Sequence, residues 1–212
     1  MEFLVVGAGS LGSLLGGLLA RKHGVTLVGR EPHVGAVRGS GLTVEGAVGA
    51  HVTPDARTDV PDGRFDCALV ATKAFDTAAA ARDLAAAGTS LDAALSLSNG
   101  LGNEATLADA LAGDCEVLAG TCTYGAMTPE PGTVRCTGVG EVVLGARDGG
   151  RRAGRRGHRR QHLLDAAGRA RRPADGGRRH PRERGRPGGR VRRADPDAAN
   201  ACGLASGLGA RA

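Results

Sequence analysis

Apolar positions along the first 150 residues fall into two patterns that take turns. Short unbroken runs occur at Phe3-Leu4-Val5-Val6, Val25-Thr26-Leu27-Val28, 65–71, 94–98 and 117–123. Runs of this length, bounded by polar or glycine-rich stretches, predict strands buried on both faces. Between them lie stretches with helical spacing. Over 10–22, Leu11, Leu14, Leu15, Leu18 and Leu19 recur at i, i+3, i+4, i+7 and i+8, which predicts a helix with one buried face. Gly16 and Gly17 weaken that helix but allow close packing on a sheet, and Gly24 ends it. Alanine-rich 77–87 predicts a second helix, and 104–111 a third, capped by Asn103 or a neighbour. Residues 41–46 and 50–53 alternate around glycines and predict a short hairpin. Pro129, Pro131 and Gly132 mark a turn, and 134–137 with 141–145 predict a closing antiparallel pair. Strands alternating with helices place the chain in the α/β class, with a doubly wound, mostly parallel sheet.

The ends of these strands carry the candidate chemistry. The first runs into Gly7-Ala8-Gly9-Ser10-Leu11-Gly12, a Gly-x-Gly-x-x-Gly that opens the first helix. In a Rossmann domain the first glycine makes the turn, the second lets backbone approach a pyrophosphate, and the third lets helix and strand pack closely. The free N–H groups and dipole of the helix N-terminus then face the anion. The second strand ends at Gly29-Arg30-Glu31. A carboxylate there suits the ribose hydroxyls of NAD, and an arginine suits the 2′-phosphate of NADP. Arg30, a planar and permanently charged fork, favours NADP; the alternative is a solvated Arg30 with Glu31 on ribose. The run 65–71 delivers Thr72-Lys73 to the same sheet edge, and 94–98 delivers Asn99-Gly100-Leu101-Gly102. Lys73 is a candidate for neutralising a phosphate or a substrate carboxylate. Asn99 is a candidate for hydrogen-bonding a carbonyl or hydroxyl near the nicotinamide. The plainer alternatives are a solvated lysine and a turn-forming Asn-Gly. His51 reads as a surface strand residue, with no partner at metal spacing.

Composition divides the chain at about residue 150. Residues 1–150 hold 10 basic and 17 acidic side chains, a net charge of −7. Residues 151–212 hold 18 arginines and 5 acids, a net charge of +13, with no aromatic residue and few large apolar ones. Such a segment buries too little apolar surface to offset its chain entropy, so 151–212 is expected to have little or no stable structure. With no isoleucine and much Arg, Gly and Ala, the chain looks encoded by GC-rich DNA. The abrupt change after Gly149-Gly150 then fits a shifted reading frame, which turns GC-rich codons into serial arginine. The alternative is a basic nucleic-acid-binding arm, which has the charge for phosphates but lacks aromatics for base stacking. His158, His162 and His180 lack nearby cysteine or acidic ligands, so no metal is expected. Cys67, Cys115, Cys122, Cys136 and Cys202 form no Cys-x-x-Cys pair and read as thiols, neither a disulfide framework nor a zinc site. With no membrane span and no leader pattern before the first strand, the expected location is the cytoplasm.

Taken in order, Gly7-Ala8-Gly9-Ser10-Leu11-Gly12, Gly29-Arg30, Thr72-Lys73-Ala74, 98–104 (Ser-Asn-Gly-Leu-Gly-Asn-Glu) and Gly120-Thr121-Cys122-Thr123 resemble the ketopantoate reductases (2-dehydropantoate 2-reductases) over about 1–147. The resemblance implies NADPH-dependent reduction of ketopantoate to pantoate, on the route to pantothenate and coenzyme A. It implies a Rossmann domain followed by a helical substrate domain, with homodimers among intact members. By position, Arg30 matches the family's 2′-phosphate arginine, and Lys73 and Asn99 its cofactor- and substrate-contacting residues. The family's catalytic lysine lies in the helical domain, yet no lysine follows Lys73 here. The resemblance therefore assigns no catalytic residue in this chain and leaves its turnover in question. A dinucleotide-binding domain without turnover, or a reductase of another keto acid, is the alternative.

Overall fold

The computed structural model describes residues 1–111, 113, 115–146 and 161–162. The chain opens with β1 (Glu2–Val6), whose side chains alternate between two cores. Phe3 and Val5 face one, and Leu4 and Val6 the other. A strand covered on both sides needs an apolar residue at every position, so β1 reads as a continuous run. The same holds for β2 (Gly24–Val28), β6 (Arg64–Val70), β7 (Ser90–Ser96) and the start of β8 (Glu116–Cys122). Together with the edge strand β5 (Asp55–Arg57) they form a parallel array in the order β5-β2-β1-β6-β7-β8. This is the doubly wound 3-2-1-4-5-6 order of a Rossmann sheet. Two antiparallel strands, β11 (Val142–Ala146) and β12 (Gln161–His162), extend the β8 edge.

Helices cover both faces. On one side, α3 (Thr77–Ala86) and α4 (Asn103–Ala110) bury Ala80, Ala81, Leu84 and Leu107 against Leu4, Val6, Ala68 and Val70. On the other, α1 (Ser10–Leu19) buries Leu14, Leu15, Leu18 and Leu19. A second sheet lies outside α1, in the order β4-β3-β10-β9. Its strands are β3 (Leu42–Gly46), β4 (Ala50–Val52), β9 (Gly125–Glu130) and β10 (Thr133–Gly138). The helix is therefore sandwiched between sheets. A Cβ at Gly16 would lie 2.5 Å from Leu27 Cδ2 in the large sheet. One at Gly17 would lie 2.8 Å from Val44 Cγ2 in the small one. The two glycines expected to allow close packing thus serve two different sheets.

Four expectations need correction. Residues 134–137 and 141–145 do not pair with each other. β10 pairs antiparallel with β9 and parallel with β3, while β11 crosses to β8 in the large sheet. The crossing runs through Gly138-Val139-Gly140, and a Cβ at Gly140 would overlap Thr123. Pro129 lies within β9, at the sheet edge where a missing N–H removes no ladder bond; the turn is confined to 131–132. A helix, α2 (His33–Ser40), forms where none is expected, with Val34 and Val37 as its buried residues. Finally, Cys115, Cys122 and Cys136 are free thiols as expected, but Cys67 is disulfide-bonded, a pairing that leaves no spacing signal in sequence. The predicted hairpin 41–46 with 50–53 is present as β3 and β4. The expectation of an unstructured 151–212 lies outside the described residues, apart from Gln161–His162 in β12.

Candidate dinucleotide site

The glycine loop leaves β1 at the point where the sheet's winding reverses, between β1 and β6. Gly7 takes φ +101°, and a Cβ there would sit 2.9 Å from the backbone of Ala71 and Thr72. Only glycine fits both conditions. The N–H groups of Gly7 and Ala8 both donate to the Val28 carbonyl, at 2.9 and 2.8 Å, which ties the loop to the end of β2. Gly9 N–H turns back onto Gly7 O at 2.8 Å, and Ser13 N–H opens the helical ladder by donating to Gly9 O. The N–H groups of Ser10, Leu11 and Gly12 thus precede the ladder and have no acceptor within the helix. No acidic residue lies in the first turn of α1, and a Cβ on Gly9 would meet nothing within 4 Å. A Cβ on Gly12 would overlap the Gly7 carbonyl oxygen. The loop therefore offers an uncrowded cradle of N–H groups at a positive helix end. Ala8 contributes shape: its buried methyl packs where a Cβ on Gly29 would come within 2.7 Å.

Arg30 follows β2 after one residue, Gly29, and is exposed. Its carbonyl accepts from Val34 N–H at 3.3 Å, so its backbone is stitched into the first turn of α2. Glu31 is committed elsewhere. One carboxylate oxygen accepts from Gly35 N–H at 2.9 Å, and the other pairs with Arg38. Arg30 has no ion pair among the described residues.

Lys73 is exposed at the end of β6, in extended backbone ahead of a short 3₁₀ turn (Ala74–Asp76). Asn99 is exposed after β7. The two loops are bonded together: Ser98 Oγ donates to the Thr72 carbonyl at 2.8 Å. The sheet thus brings the glycine loop, Lys73 and Asn99 to one edge, at the carboxyl ends of β1, β6 and β7. The described residues hold no group of three or more potential metal ligands.

A sequence model described as ketopantoate reductase PanE/ApbA matches residues 3–149. The chain belongs to the ketopantoate reductase family. It is 37% identical over 149 residues to the 2-dehydropantoate 2-reductase of Pyrococcus abyssi, covering 68% of this chain and 47% of that protein. It is 46% identical over 154 residues to the enzyme of the same name from Halobacterium salinarum, covering 68% and 49%. The crystal structure of a PanE/ApbA family ketopantoate reductase from Ralstonia eutropha JMP134 superposes with a TM-score of 0.61 at 34% identity, over 68% of this chain and 49% of that one. A complex of D-mandelate dehydrogenase with NADH gives a TM-score of 0.57 at 25% identity, over 72% and 48%. The chain spans about half the length of the curated relatives it matches.

In this ketopantoate reductase domain, three polar residues shape the edge that sequence reasoning passed over or misassigned. Asn103 does not cap α4. It is the first residue of the helix, after Gly102 at φ +87°, and its buried amide nitrogen lies 3.2–3.3 Å from the carbonyls of Ser98, Asn99 and Gly100. It clamps the loop that carries Asn99. Thr72 Oγ1 is buried at the reversal point with no hydrogen-bond partner among the described residues. His33, in the first turn of α2, is flanked by Ser13 Oγ at 2.9 Å from Nε2 and by Gly132 N–H, which donates to Nδ1 at 3.1 Å. Burial lowers the His33 pKa below its ordinary 6.5. His33 has no local pattern that marks it, because its partners lie 20 and 99 residues away, whereas the Asn103 partners lie within five residues in the same turn.

Proposed function

We propose that residues 1–150 are the NADP-binding domain of a cytoplasmic 2-dehydropantoate 2-reductase. In this reading the N–H groups of Ser10, Leu11 and Gly12 receive the pyrophosphate. Gly7 and Gly9 clear space for it, and Arg30 holds the 2′-phosphate. Lys73 and Asn99 face the nicotinamide and the keto acid. When bound, NADPH supplies the hydride; the residues described here bind and orient it. The NADP assignment rests on one observation above all. The carboxylate that follows the β2 end in the chain, that of Glu31, is engaged by Gly35 and Arg38, whereas Arg30 is exposed and has no ion pair among the described residues. A ribose-binding carboxylate would have to share its oxygens with these two partners or leave them; a phosphate-binding arginine gives up no ion pair among the described residues.

The test is a titration of the chain with NADPH and with NADH, followed through the fluorescence of the nicotinamide itself, since the protein has no tryptophan. NADPH should bind more tightly by about 1.5–3 kcal/mol, the range of a charge-assisted contact. Arg30→Ala should remove most of that difference. Equal affinities in the unaltered chain would overturn the 2′-phosphate assignment.

A further inference from the structure

We propose that His33 is a positioning residue for the 2′-phosphate site: as a neutral imidazole wedged between α1 and the β9–β10 turn, it fixes the first turn of α2 and thereby sets where Arg30 stands. The proposal rests on the assignment of Arg30 above. Gly132 N–H donates to Nδ1, so in the neutral ring the proton is on Nε2, which donates to Ser13 Oγ. One side chain thus joins three elements. Ser13 is fully buried in α1, one residue past the glycine motif. Gly132 belongs to the β9–β10 turn, and its carbonyl accepts from Thr43 N–H at 2.9 Å, which anchors that turn to β3. His33 itself lies within the Arg30 carbonyl to Val34 N–H bond that opens α2.

Further contacts reinforce the same junction. A Cβ on Gly132 would lie 3.1 Å from Ala36 Cβ, so the turn sits directly on α2. The hydroxyls of Ser10 and Thr128 are 3.1 Å apart, so β9 also reaches the N-terminus of α1. The small sheet therefore braces both parts of the proposed cofactor cradle, and His33 is the brace on the Arg30 side. Arg30 has no side-chain partner of its own among the described residues to hold it in place, so its position depends on the backbone that His33 secures.

The experiment compares the ratio of NADH to NADPH dissociation constants in four proteins at pH 8: the unaltered chain, His33→Ala, Arg30→Ala and the double variant. The expected result is a ratio that falls by about threefold to tenfold in His33→Ala, the effect of one neutral hydrogen bond. NADH affinity should change little. In the Arg30→Ala background, His33→Ala should leave the ratio unchanged, because the residue through which it acts is gone. His33→Asn, which keeps an acceptor near the Nδ1 position, should restore part of the ratio. A ratio unchanged by His33→Ala, or equal weakening of both cofactors, overturns the positioning role. Absence of any NADPH preference in the unaltered chain instead overturns the Arg30 assignment, so the two failures are distinct. If circular dichroism shows that His33→Ala does not fold, Ser13→Ala removes one of the same two hydrogen bonds; a ratio it leaves unchanged also overturns the proposal.

Discussion

At the residue scale, the candidate site is held by side chains that bond to backbone more than to one another. Asn103 is the clearest case. Its amide nitrogen sits among three carbonyls at the turn carrying Asn99, and the residue is 5% exposed. Replacing it with alanine removes the donor that these part-buried carbonyls share, which costs about 0.5–1.5 kcal/mol. Asn103→Ala should therefore lower the urea midpoint at unchanged slope, and weaken cofactor binding through the loosened Asn99 turn. Asn103→Asp should do no better, because a carboxylate brings oxygens to a place that needs a donor. Unchanged stability in Asn103→Ala would show that water takes over the amide's role. From sequence, the Asn-Gly-x-Gly-Asn pattern announced a tight turn. Which asparagine faces outward and which reaches inward depended on the path of the chain; of the two candidates for the cap, Asn103 or a neighbour, Gly102 takes the N-cap position and Asn103 clamps the loop.

At the scale of elements, α1 decides most of the architecture, since it packs between two sheets and presents its N-terminus to the proposed cofactor. Glycines on it are not equivalent to those elsewhere. Gly12→Ala gains about 1 kcal/mol of helix propensity. It also drives a methyl into the Gly7 carbonyl oxygen, a backbone atom that cannot turn aside. Overpacking of this kind costs about 1–3 kcal/mol or more, so the net effect should be destabilising, with loss of cofactor binding as the loop shifts. Gly39, in α2, has nothing within 4 Å of its missing Cβ and is exposed. Gly39→Ala should raise stability by up to about 1 kcal/mol. Thermal melts of the two variants should move in opposite directions; a shared direction would mean that packing around α1 is looser than these contacts imply. The helical face of α1 was legible because five leucines mark it. α2 was not, because two buried valines give little periodic signal, and its burial comes from elements distant in sequence.

For the molecule as a whole, binding and turnover are expected to separate. Ketone reduction places negative charge on oxygen, and a positioned acid contributes about 10²–10⁴-fold by protonating it. Lys73, the last lysine of the chain, stands at the carboxyl edge of the sheet beside the proposed cofactor site, where its charge would suit a phosphate or carboxylate. The 212-residue chain should therefore bind NADPH yet consume it with ketopantoate only slowly, as measured by absorbance loss at the nicotinamide band. Translating the DNA beyond the codon for Gly150 in the other frames and expressing the product should append a lysine-containing helical domain and recover the rate. Ordinary turnover by the present chain, abolished by Lys73→Ala, would make Lys73 the acid. What the sequence determined alone was the parallel sheet and its glycine loop. Strands buried on two faces must be apolar throughout, and a turn at φ +101° favours glycine whatever surrounds it, so both constraints leave a local trace. Tertiary structure alone decided how the β3–β4 hairpin is completed into a second sheet by the pairing of β10 with β3 across some 90 residues, and the bridge from His33 to Ser13 and Gly132. Those strands are short and half exposed, and a hydrogen bond between residues 99 apart in the chain is written at neither end.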